Sequence, residues 1–161
     1  MLPNFSYPAS HYDDHMCLKP PLLLWVAVFY YSRAITLPIT MAIAHFAGVD
    51  EEAINTFRGF WSANGLVPSA IAVVILYTLC RRAPNAPKAV RWIWAHGQAV
   101  LVVSAILDIA LLLIAPIRHE EINDQSLLSI AAAAADAYFL VYILAARKVR
   151  QVFSEFPLPL K

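Results

Sequence analysis

At 161 residues, 60% of them hydrophobic and only 14% charged, the chain has room for one domain and more apolar surface than a water-soluble core can hide. The formal charge of +1 gives no basic surplus for nucleic acid and no nucleic-acid module is visible, so the solvent and first partner expected for this chain is a lipid bilayer.

Residues 1–21 read as a cytoplasmic juxtamembrane segment. Pro3, Pro8, His11, Asp13, Asp14 and Lys19 leave no continuous apolar stretch there, so the h-region of a cleavable signal peptide is missing and the first span is expected to act as an uncleaved signal anchor. The run HYDDHMC, with His11, Asp13, Asp14, His15 and Cys17, has the residue types of a metal site without the spacing of a zinc pattern. A polar juxtamembrane segment is the better reading of such a tract, and no metal or cofactor is expected. Cys17 and Cys80 fall on the same, cytoplasmic side in the topology argued below, where thiols stay reduced.

Residues 22–47 form the first predicted span, with Arg33 as their only full charge. At about 1.5 Å per residue the segment outlasts a hydrocarbon core of about 30 Å, so it must tilt or bend. Pro38 is the natural place, because its ring and missing N–H disturb the bond to the Ala34 carbonyl. The second span, 60–80, is the least regular: its apolar part from Leu66 to Cys80 is short and must recruit Phe60 to Asn64, while Gly59, Gly65 and Pro68 interrupt its approach. A re-entrant start is the alternative. Just before it, Ile54, Phe57, Phe60 and Trp61 recur at helical spacing opposite Glu52, Asn55 and Arg58, which predicts a short helix lying in the interface. Residues 92–117, carrying Asp108 and closed by Pro116, are the third span, and residues 127–146, carrying Asp136, are the fourth. The short acidic connection between them makes an antiparallel hairpin. The tail 154–161, with Pro157 and Pro159, is expected to be loose, leaving 22–153 as a single transmembrane domain.

Lysine and arginine set the orientation. Arg81, Arg82, Lys88 and Arg91 lie between the second and third spans, and Arg147, Lys148, Arg150 and Lys161 follow the fourth, so both segments belong inside. The other two connections carry one basic residue each, Arg58 and Arg118, beside clusters of acids, and belong outside. The predicted fold is therefore all-α, a four-helix transmembrane bundle with both termini in the cytoplasm. Trp25, Trp61, Trp92 and Trp94 fall near helix ends, where an aromatic belt requires them.

Arg33, Asp108 and Asp136 lie deep in these spans, where each costs at least about 2.5 to 3.5 kcal/mol on insertion scales and must face protein, water or a partner. Both aspartates stand nine residues from the outer ends of their helices, roughly 13 Å in, and Arg33 enters about 18 Å from the other side. A cluster near the midplane follows, with one carboxylate on the guanidinium and the other kept neutral, since two like charges in low dielectric do not both ionise cheaply. Structural glue between helices, or an arginine that snorkels alone, are the plainer alternatives. Ser129, Ala132, Ala133, Asp136 and Ala137 make a small-residue stripe on the fourth helix, and Gly97, Ser104, Ala105 and Asp108 a poorer one on the third, broken by Leu101.

His45 and His96 sit near helix ends as interfacial residues, and the chain has no phosphate loop, nucleophile elbow or His-Glu-x-x-His motif. The run Tyr12, Asp13, Asp14, Leu18, Lys19, Pro20, Pro21, Leu24, Trp25, Arg33 and Ala34 resembles the opening of the YfeZ-like family of small bacterial inner-membrane proteins of unknown function. Phe60, Trp61, Gly65, Leu66, Pro68, Ala135, Asp136 and the basic end from Arg147 to Arg150 extend the resemblance. It implies a four-span bacterial inner-membrane protein and no activity, with the N-terminal block, Arg33 and Asp136 in the family pattern and Asp108 outside it. Packing surfaces without a catalytic constellation favour a non-enzymatic accessory or scaffold subunit that packs against another membrane protein or itself. Tyr12, Asp13, Asp14, Lys19 and Pro20 are the candidate partner-binding block. An oligomeric small transporter or channel, with an intramembrane aspartate as proton or cation site, is the rival class, and a lipid-directed enzyme is a weaker third.

Overall fold

The computed structural model of the chain describes residues 7–58, 65–117 and 124–157. Apart from a short 3₁₀ turn, Ala9–His11, the regular structure among them is α-helical: α1 Leu22–Tyr31, α2 Arg33–Phe46, α3 Glu51–Arg58, α4 Leu66–Cys80, α5 Lys88–Ala95, α6 Gly97–Ile117, α7 Asp124–Ala145 and α8 Arg147–Ser154. No strand occurs among the described residues, only an isolated antiparallel bridge between Tyr12 and Leu18.

α6 and α7 are each long and apolar enough to cross a membrane, and α1 with α2 supplies a third crossing if the bent pair is one span. α4 is apolar but has 15 residues, about 22 Å at the helical rise; the residues expected to lengthen it, Phe60 to Asn64, lie outside the described residues, as do Gly59 and Arg118. Ser32, Ser69, Thr78, Ser104, Asp108 and Asp136 are buried, while Val26, Phe29, Ile43, Val103, Ile106 and Val141 face outward. Apolar side chains over so much of the outer surface suit lipid and would be a liability in water.

α6 and α7 form the expected hairpin. Gln98, at the start of α6, donates to the Ile143 carbonyl near the end of α7 at 2.9 Å, and Leu101, Ala105 and Ala133 are buried in the packing. Ala137 of the expected stripe faces outward instead. The core continues towards the start of α6, where Leu18, Leu24, Ile75, Trp94, Val149 and Val152 pack together.

The bend in the first span falls at Ser32, not at Pro38. α1 and α2 meet there at 84°, while Pro38 sits inside an unbroken α2. Bending is cheapest where freed backbone groups find new partners. Ser32 Oγ donates to the Phe29 carbonyl at 2.8 Å and Arg33 Nη1 to the Tyr30 carbonyl at 3.2 Å. Ser69 Oγ, arriving from α4, donates to the Tyr31 carbonyl at 2.8 Å and accepts from the Ala34 N–H at 3.1 Å. At Pro38 the helix runs on unbroken, and Thr40 Oγ1 donates to the Thr36 carbonyl at 2.9 Å.

Three further boundaries differ from the sequence reading. The third span is two helices, because the chain breaks at His96 (φ −102°, ψ 3°) and Trp92 to Ala95 belong to α5. Gly97 at this break is the only residue type that fits: a Cβ there would lie 2.5 Å from Cε1 of Phe153. After α7, Ala146 turns extended (φ −73°, ψ 108°) and the basic end becomes α8, which buries Val149, Val152 and Phe153. The tail is not loose from residue 154 onward, since Glu155 is hydrogen bonded and Phe156 stands 6.3 Å edge-on to Trp94; residues 158–161, with Lys161, lie outside the described residues. The helix expected before α4 is present as α3, with Ile54 buried and Glu51, Glu52 and Arg58 exposed.

Candidate functional site

The break at Ser32 aims the Arg33 side chain into the bundle, and the α6/α7 hairpin brings two carboxylates to it. Arg33 Nη2 lies 2.9 Å from Asp108 Oδ2. The guanidinium also meets Asp136 face to face, Nη1 to Oδ1 and Nη2 to Oδ2, both at 3.2 Å. A planar fork matched to a carboxylate is the strong, orienting form of this bond, and a lysine could not make it. Asp108 is 2% and Asp136 0% exposed, so the cluster is shielded from solvent on the carboxylate side.

Aromatic and hydroxyl groups surround the three charges. The Arg33 guanidinium lies 4.3 Å from the centroid of the Tyr30 ring. Tyr30 Oη donates to the Ala132 carbonyl at 3.0 Å and Tyr31 Oη to the Asp136 carbonyl at 2.9 Å, pinning α1 to α7 on either side of Asp136. Ser104 Oγ donates to the Pro68 carbonyl at 2.8 Å, fixing α4 to α6 one turn from Asp108. At Gly65 an added Cβ would stand 3.2 Å from Ala34 Cβ and 3.8 Å from Asp108 Oδ1, so the start of α4 is packed closely over the cluster. Five helices thus converge on one guanidinium and two carboxylates, leaving one negative charge in formal excess.

A second polar centre lies at the end where α1 and α6 begin. Asp13 Oδ1 accepts from the N–H groups of His15 and Cys17 at 3.0 and 2.9 Å, and the Asp13 N–H donates to the Cys17 carbonyl at 2.9 Å. The HYDDHMC run is therefore a tight turn, with Met16 at φ 59°. Among the described residues no group of three or more His, Cys, Asp or Glu side chains is placed to hold a metal ion. Arg82 ties this turn to the rest: Nη1 donates to the Leu18 carbonyl at 2.8 Å and Nη2 to the Glu155 carbonyl at 3.2 Å, with Asp13 Oδ2 at 3.9 Å and the Trp94 ring 5.0 Å away. Glu155 Oε2 accepts from the Leu18 N–H at 2.8 Å. Burial pushes the Arg82 guanidinium below its usual value against the pull of Cys17, Asp13 and Glu155, and burial pushes the Cys17 thiol up.

The block of Tyr12, Asp13, Asp14, Lys19 and Pro20 divides accordingly. Tyr12 is half-buried against the core and Asp13 is held in its own turn, while Asp14 and Lys19 are exposed and Pro20 is half-buried. His45 and His96 are exposed near helix ends. Sequence reasoning missed Ser69, Tyr30 and Tyr31 around the triad, and Arg82 with Glu155 at the second centre. Hydroxyl-bearing residues inside apolar helices are the signal that finds the first group; only the fold reveals the second.

A family model described as "Protein of unknown function (DUF2919)" matches residues 7–155. No curated protein and no solved structure matches the chain.

Proposed function

The chain belongs to the DUF2919 family of proteins of unknown function, and from that premise we propose that it is a non-enzymatic accessory or scaffold subunit of the bacterial inner membrane, of the YfeZ-like kind. In this reading α1 with α2, α4, α6 and α7 make four passages, and both termini are cytoplasmic. The common meeting of the N-terminal turn, the 81–87 loop and Glu155 at Arg82 supports placing them on one side, and the lysine and arginine bias makes that side the cytoplasm.

One observation carries the accessory role. α2 leaves the bundle at 84° and presents Ile39, Ile43 and Phe46 outward, Phe46 at 89% exposure, so the protein holds out a lateral apolar surface that its own helices do not cover. A photocrosslinker at Ile43 or Phe46 in intact membranes should recover a stoichiometric larger membrane protein. Crosslinks to lipid alone would remove the role.

A second reading, an oligomeric transporter or channel, is favoured by the formal negative excess of the triad beside a broken helix, an arrangement suited to a proton or cation. Vesicles holding the protein would then show a pH-gradient-dependent flux that Asp136→Asn abolishes.

A further inference from the structure

We propose that the end of the bundle where the N-terminal turn, the 81–87 loop, α5 and α8 meet is a binding surface for anionic phospholipid headgroups. The inference rests on the membrane reading above and adds the lipid class to it.

Apart from half-buried Lys148, whose Nζ stands 5.8 Å from the Tyr7 ring, the lysines and arginines described at this end fall into two sets. Arg82 and Arg91 are spent inside: the Arg82 side chain is 4% exposed, and Arg91 donates to the Pro84 carbonyl with its guanidinium 5.4 Å from the Phe156 ring. Lys19, Arg81, Lys88, Arg147 and Arg150 are exposed. The acids nearby do not offset them. Asp13 and Glu155 are engaged by the Arg82 centre, and among the described residues of this end only Asp14 is an exposed acid. The α2–α3 connection shows the reverse, with Asp50, Glu51 and Glu52 exposed beside Arg58.

Geometry separates a headgroup surface from a site for a soluble anion. The basic residues are spread over four segments, the N-terminal turn, the 81–87 loop, α5 and α8, instead of converging on one pocket, so they suit a plane of charges. α8 turns out of line with α7 at Ala146 and buries Val149, Val152 and Phe153, which leaves Arg147 and Arg150 on its outer side. Apolar surface begins directly beside the cations: Trp92 is 65% exposed with its ring 4.7 Å from His96, and the Arg81 guanidinium stands 6.0 Å from the ring of exposed Tyr77. Rings next to cations, with Val141 and Leu144 exposed on the last turns of α7, reproduce the order of acyl chain, interface and headgroup. Anionic lipid attracts such juxtamembrane cations, while zwitterionic lipid does not.

The test uses the full chain in phosphatidylcholine vesicles that contain equal fractions of acyl-brominated phosphatidylglycerol or acyl-brominated phosphatidylcholine. Quenching is read at Trp92, its share identified with Trp92→Phe. Brominated phosphatidylglycerol should quench more strongly, and the preference should fall by up to about fivefold for each of Arg81→Gln, Lys88→Gln, Arg147→Gln and Arg150→Gln. Arg81→Lys should keep it, which separates charge from loss of structure. Equal quenching by the two lipids, or a preference that survives all four neutral substitutions, overturns the proposal and leaves the membrane reading standing. Loss of the preference to inorganic phosphate at constant ionic strength overturns it in favour of free phosphate. No quenching by either lipid brings down the membrane reading itself.

Discussion

Removing Arg33 should cost more than removing it together with one of its partners. The guanidinium contacts Asp108 at 2.9 Å and Asp136 at 3.2 Å, and both carboxylates are at most 2% exposed. Arg33→Leu therefore strands two buried acids that also repel each other, and breaking a buried pair costs about 3 to 5 kcal/mol. Arg33→Leu with Asp136→Leu leaves one acid and should recover at least about 1 kcal/mol of that loss, within the range of coupling between contacting residues. Adding Asp108→Leu removes the last charge, and an all-apolar centre should return to about the wild-type stability or exceed it. Loss of the Arg33 bond to the Tyr30 carbonyl is common to all three variants, so it cancels in the comparison. Reversible unfolding in mixed micelles, followed by circular dichroism, gives the free energies. If the double variant is no more stable than Arg33→Leu, or the single effects add within about 0.5 kcal/mol, the three charges are not coupled and the reasoning fails.

Ser69→Ala should destabilise the same assay by about 1 to 3 kcal/mol, because it strands the Tyr31 carbonyl and the Ala34 N–H at the bend; a neutral outcome would mean that the 84° break does not depend on α4. Gly97→Ala should cost about 1 to 3 kcal/mol by forcing Phe153 aside, and Phe153→Leu in the same chain should recover part of it, with Trp94 fluorescence reporting the shift. Burial raises the Cys17 thiol above its ordinary value, so its thiolate forms only at more alkaline pH and maleimide should label it more slowly than exposed Cys80. The sign for folding follows: a raised acid favours the folded state below its unfolded pKa, and that contribution is lost as pH rises through the folded value. Unfolding of wild type but not of Cys17→Ser should grow easier on that alkaline side; equal alkaline loss in both would dismiss Cys17 as the cause.

What the sequence allowed to be read was set by distance along the chain. The α6/α7 hairpin and the matching level of Asp108 and Asp136 along it depend on one apolar run each and a short connection, so counting residues from the helix ends brings the two carboxylates together. Arg33 follows by the same arithmetic from the opposite side. The bend does not, because a proline is visible in the sequence and the partners that make Ser32 cheaper are not: Ser69 acts from 35 to 38 residues away. The break at His96 likewise depends on a glycine making room for Phe153 of α8. Three exposed or half-buried basic residues in α8 read as a topology signal, and the alternate Val149, Val152 and Phe153 that fold it back onto the bundle were hidden behind them.

The bond from the Leu18 N–H to Glu155 spans 137 residues, and it has a consequence for how the chain is made. The turn around Leu18 is translated before the α-helices described here, yet the carboxylate that receives its amide is translated after all of them. Until then Arg82 has only the Leu18 carbonyl of its two carbonyl acceptors. Closure of this seam therefore waits until all the described helices have been made, and a nascent chain stalled before Glu155 would present an unfinished end to quality-control proteases.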